Sequence, residues 1–229
     1  PLIQEVAYQT QLKRKRKPLH AEVARAMEAF YEDVGDEFAG LVAFHYEAAG
    51  LMLESARSLG RAAVWISGTD TAQALRHWQH VRHLLLEQPE EPEIGVLRSR
   101  ASTQIALLAW REGIPVEEIM PLLDEALAWA RRHDERMVPM LLFLEGRNHI
   151  ASGGSADFYV ECMQQALGFA AGHDPTGRRA ILNTAMSQAY GWAGLLREAL
   201  AASDAALADI GGADAGAQFL GYRTEYWAL

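Results

Sequence analysis

Three of the eight histidines fall in "QALRHWQHVRHLLLEQPE", residues 73–90: His77, His80 and His83, with Trp78 between the first two. Imidazoles in such a cluster could ligate a metal ion or exchange protons. On a helix, Ala74, Trp78, Val81 and Leu85 fall within roughly 60° of one another at about 100° per residue, which makes a buried stripe. His77 sits at the edge of that stripe, His80 further round and His83 nearly opposite. Two helical histidines that share a metal favour i,i+4 spacing with a further carboxylate or thiolate, as in His-Glu-x-x-His. The spacing of three therefore reads first as the polar flank of a packing helix. A metal-dependent helical hydrolase built on His77, His80 and His83 is the enzymatic alternative. No Ser/His/Asp set or phosphate-binding glycine loop is fixed by spacing, so no catalytic residue and no cofactor is assigned.

The elements that would position such residues read as helices throughout. Half of the 229 residues are hydrophobic. Ala and Leu dominate them, and both lose little side-chain freedom in a helix. Net charge is −9; residues 1–36 carry six Lys/Arg and six Asp/Glu, and the remainder carries the whole deficit. That balance disfavours nucleic acid and anionic membrane as partners. The basic run in "LKRKRKPLH" (12–20) is the one exception, and a DNA-binding reading would rest on Arg14, Lys15 and Arg16. It has no interleaved aromatics, so it reads as a solvated face. No apolar run approaches the roughly 20 residues of a membrane span. The single cysteine, Cys162, allows no internal disulfide and reads as a buried inert thiol, which fits a cytoplasmic setting. The chain opens on "PLIQEVAYQTQ" without Met, already in helical pattern, and reads as a piece of a longer protein.

A short signature recurs at Gln73-Ala74-Leu75, Glu125-Ala126-Leu127, Gln165-Ala166-Leu167 and Glu198-Ala199-Leu200. Glycines precede each one: Gly68, Gly113, Gly153 with Gly154, and Gly194. Helices are expected over 93–113, 115–133, 137–154, 156–171, 178–194 and 195–210, with a late start or kink at Pro121. "EQPEEPE" (87–93) reads as an acidic loop. "AGAQFLGYRTEYWAL" reads as the first helix of a further, truncated unit. Its face at Phe219, Tyr222, Tyr226 and Trp227 could pair two copies into a dimer.

These residues resemble the tetratricopeptide (TPR) repeat. Ser187, Tyr190, Gly194 and Ala199 fit its pattern; Gly146, His149, Gly153 and Ala166 fit with an insertion; Ala106 and Ala109 fit poorly; Ala43, Tyr46 and Gly50 fit loosely. The stretch "PLIQEVAYQTQLKRKRKPLHAEVARAMEAFYED" and the following "HYEAAG" resemble the segment after the nucleotide-binding domain of large bacterial signal-transduction ATPases. Some of those carry a class III adenylate or guanylate cyclase domain; others are transcription activators with a C-terminal helix-turn-helix. The resemblance implies an all-α, right-handed superhelical array of antiparallel helix pairs over 37–229, with 1–36 ending a winged-helix-like segment. It further implies a non-catalytic sensor or scaffold region, with the upstream nucleotide-binding domain of the same chain as one partner. In such stacks the first helix of each pair lines a concave groove. Arg100, Thr103, Trp110, Phe143, Arg147, Thr184, Gln188 and Trp192 would face it, to receive a protein, peptide or small effector.

Overall fold

The computed structural model describes residues 13–30, 36–109, 111–173, 178–210, 218–219 and 222–223. Among them are ten α-helices: α1 (Lys13–Phe30), α2 (Ala39–Ala49), α3 (Met52–Ile66), α4 (Thr71–Leu85), α5 (Pro92–Ala109), α6 (Val116–His133), α7 (Val138–Ala151), α8 (Ala156–His173), α9 (Arg178–Trp192) and α10 (Leu196–Ile210). The all-helical expectation holds for the described residues from Lys13 to Ile210. None of these helices is long and apolar enough to cross a membrane.

The chain divides into two compact units, Pro1–Glu112 and Gly113–Leu229. The hairpin expected from 93–133 is thereby split, α5 belonging to the first unit and α6 to the second. In the first unit each helix from α1 to α5 packs on the next, and α3 also touches α5. In the second, α6 to α10 pack in the same consecutive way, and α7 also touches α9. Contacts between alternate helices are what side-by-side hairpins produce.

Local chemistry sets the boundaries. The Asp70 carboxylate accepts the Gln73 amide at 2.8 Å and starts α4. α7 and α9 end in tight turns at Gly153 (φ 86°) and Gly194 (φ 75°), a left-handed conformation that strains any residue with a Cβ. α6 departs from expectation: it starts at Val116 and continues through Pro121, without a late start. Pro121 lies in the second turn of the helix and is exposed.

The end of the chain also departs from expectation. Gln218–Phe219 pairs antiparallel with Tyr222–Arg223, Phe219 opposite Tyr222. These four residues are extended, not helical, as the β-preference of aromatics and the helix-weakening Gly221 favour. The helical dimer face expected from Phe219 and Tyr222 is therefore not formed; Tyr226 and Trp227 lie outside the described residues.

Polar ties fix α1 to α2 and α3. The Tyr46 hydroxyl, on α2, donates to Glu28 of α1 at 2.5 Å. Arg61 of α3 reaches the other Glu28 oxygen at 3.1 Å and Asp36 at 3.4 Å. Burial, and then the bond to Glu28, push the Tyr46 phenol up to about 12. Ala24, Val42 and Tyr46 form the core beneath, with Met27 and Leu51 against it. Tyr46→Phe keeps the ring but removes the donor, and should cost about 1–2 kcal/mol in urea unfolding of the first unit. An unchanged midpoint would show that the bond is replaced by water without loss.

Candidate ligand-binding site

The histidine helix is α4. Ala74, Trp78, Val81 and Leu85 are all buried, His77 and His80 are half-buried, and His83 is exposed. His77 Nε2 lies 3.4 Å from the Gln73 side-chain amide. Burial, then the charges of Arg76 and His80, hold its ring below the usual imidazole range. His80 Nε2 lies 3.1 Å from Glu47 of α2. The rings thus face separate neighbours. Among the described residues, no group of three or more His, Cys, Asp or Glu side chains is placed to hold a metal ion.

The groove candidates divide between the two units. In the first, Arg100 is exposed, its guanidinium carbon 5.6 Å from the centre of the Trp78 ring. Thr103 is half-buried and its hydroxyl donates to the Ser99 carbonyl at 2.8 Å. Trp110 lies outside the described residues.

In the second unit, Phe143 and Arg147 are one turn apart on α7, with the guanidinium carbon 5.9 Å from the ring centre. Phe143 is 2% exposed and belongs to the core; Arg147 is half-buried. Thr184 is also core, its hydroxyl donating to the Ala180 carbonyl at 2.8 Å. Gln188 and Trp192 follow at i+4 and i+8 along α9, so that face of α9 runs from core to solvent. Trp192 is 57% exposed.

Tyr159 of α8, which the sequence reading passed over, joins these groups. Its ring centre is 5.9 Å from that of Trp192. Tyr159 is 1% exposed; burial raises its phenol well above the usual range, and the Arg147 charge opposes that rise. It reaches this position because Gly146 has no side chain: a Cβ there would lie 2.3 Å from Tyr159 Cδ2 and 3.1 Å from Cys162 Cβ. The small residue assigned to Gly146 by the repeat pattern was the available signal, since a small residue in one helix accommodates a large one from the next. Beside it, burial pushes the Cys162 thiol up to about 12, far from the reactive thiolate. Glu145, next in sequence, is held above the usual carboxylate range by burial and then by Asp124.

The site candidates at the surface of the second unit are thus a cation (Arg147), an amide (Gln188) and a half-exposed indole (Trp192) whose ring meets the buried Tyr159 phenol. Such a set can pair with a polar or anionic group and cover an apolar one; it contains no nucleophile–base pair. Compared with family models and with curated proteins, the chain matches none.

Proposed function

We propose that this chain is the TPR-like, right-handed superhelical regulatory region of a larger cytoplasmic signalling ATPase, without catalytic activity of its own. It binds a peptide, protein or small effector and works against the nucleotide-binding domain upstream in the same chain. The observation that carries the binding part is exposed Trp192 at the end of α9, its ring centre 5.9 Å from that of buried Tyr159, with the Arg147 charge of α7 acting on the same phenol and Gln188 one turn before Trp192. The acidic balance of the chain supports a partner other than nucleic acid. An effector acts here by binding one arrangement of the helices more tightly than another, and its influence upstream equals that difference in affinity.

The test is a screen of immobilised peptides and small acids against the purified chain, followed by titration of the hits into variants. Trp192→Ala should weaken binding by about 2 kcal/mol or more, the usual cost of removing an aromatic anchor. It should leave thermal unfolding nearly unchanged, because the side chain is more than half exposed. Arg147→Ala should weaken anionic hits selectively. Full affinity in both variants sinks this site. Sequencing the gene upstream tests the rest, and an open reading frame without a nucleotide-binding domain removes the signalling-ATPase reading.

A further inference from the structure

A second feature lies in the first unit, whereas the proposed binding site belongs to the second. His20 of α1 and His45 of α2 meet nitrogen to nitrogen, Nδ1 to Nδ1, at 2.9 Å. Their ring centres are 5.0 Å apart. That separation is nearly the contact distance plus the two ring radii, so the nitrogens face each other head-on, as in a hydrogen bond. The Phe44 ring stands edge-on to both, 6.1 Å from His20 and 5.4 Å from His45. Among the described residues, His20 is the polar partner of His45.

A head-on pair of imidazoles needs one nitrogen with a proton and one with a lone pair. It accommodates two neutral rings, or one neutral and one cationic. With both rings protonated, two N–H groups and two positive charges face each other at hydrogen-bonding distance. We propose that His20 and His45 form a proton-sensitive latch between α1 and α2, closed while at most one of the rings is cationic and open when both are.

The surroundings favour this behaviour. On α1, Arg16 and Lys17 precede His20 by about one turn, and Lys17 reaches over Gly50 at the end of α2. Both add positive charge to that end. On the helices that carry the pair, Glu28 of α1 contacts Tyr46 and Arg61, and Glu47 of α2 contacts His80. From α3, Glu54 acts on the Tyr46 phenol. Burial, and then the neighbouring His20, hold the His45 ring below its ordinary 6.5. Folding therefore favours neutral His45, and the unfolded chain binds more protons in acid. The contribution of the latch is complete above the ordinary imidazole range and is lost as pH falls below it.

Hydrogen exchange of the full chain at about pH 7.5 and about pH 5.5, corrected for intrinsic rates, tests the latch across the histidine range. Amides of α1 should lose several-fold in protection at the lower pH, while the second unit holds its own. α4 is followed separately because His77 also favours its neutral form when folded. In His20→Gln the α1 loss should vanish, since glutamine can bond His45 but takes no proton. Histidine NMR gives an independent readout: His45 should titrate below the free range in the wild-type chain and move up in His20→Gln. A loss of protection spread evenly over the first unit overturns the latch, as does an equal α1 loss in the variant. If the variant fails to fold, the wild-type titration decides alone, and His45 titrating at or above the free-imidazole range overturns the proposal.

Discussion

Trp78→Ala should destabilise the first unit by about 3–5 kcal/mol, the usual cost of truncating a fully buried tryptophan. Trp78 is 1% exposed in the centre of α4. Its six-membered ring lies against Gly60 of α3, where an added Cβ would come within 3.3 Å of it. The Arg100 guanidinium of α5 stands over the indole at 5.6 Å. One side chain therefore fills space bounded by three helices, and nothing adjacent can collapse into the cavity. Domain stabilities are about 5–15 kcal/mol, so a loss of this size removes much of the margin. Urea unfolding followed by exchange of the α3–α5 amides measures it. His77→Ala and His83→Ala are the comparison: each should cost about 1 kcal/mol or less, since neither ring is fully buried. If Trp78→Ala costs no more than they do, α4 is not a packing helix and its histidines become the feature to explain.

Gly146→Ala should destabilise the second unit by about 1–3 kcal/mol although it replaces glycine by the best helix former. Helix propensity alone predicts a gain of about 1 kcal/mol in the middle of α7. The methyl would overlap the Tyr159 ring and crowd the Cys162 Cβ, both buried on α8. A buried aromatic ring with rigid geometry cannot give way as an exposed chain end would, so α8 must move away from α7. Overpacking then exceeds propensity. The same shift carries Tyr159 from Trp192, so binding at the proposed site should weaken too. Thermal unfolding of Gly146→Ala, Tyr159→Leu and the double variant measures the coupling. The double variant should be more stable than the sum of the singles implies, because the smaller leucine side chain leaves room for the methyl. A stabilised Gly146→Ala would mean that the two helices separate without loss and that Tyr159 is not fixed by this contact.

The two results concern different kinds of information. The burial of Trp78 is legible in the sequence, because one helix with a period of about 3.6 residues decides which of its faces is apolar. The turn glycines and the buried thiol are legible for the same reason: each depends on neighbours in the chain. Of the binding-site candidates assigned by helical register, Arg147, Gln188 and Trp192 reach the surface, whereas Phe143 and Thr184 share that register and lie in the core. Register gives an angle around one helix; it does not say how far along its length the neighbouring helix covers it. Pro121 shows a related limit: the helix starts at Val116 and runs through this exposed proline, where the chain pattern alone would also allow a late start.

What only the tertiary structure decided are the meetings between helices. Tyr159 is thirteen residues from Gly146 and thirty-three from Trp192; His20 is twenty-five from His45 and Tyr46 eighteen from Glu28. No local pattern marks these partners, because each pair depends on the depth and crossing of two helices, set by every side chain between them. By itself the sequence determined an all-helical chain, the buried faces of its clearest helices and the turns that end them. The tertiary structure decided the division at Glu112/Gly113, the contact of Trp192 with Tyr159 and the contact of His20 with His45. The first set follows from interactions within a few turns of chain, and the second from packing between segments that the chain brings together only when folded.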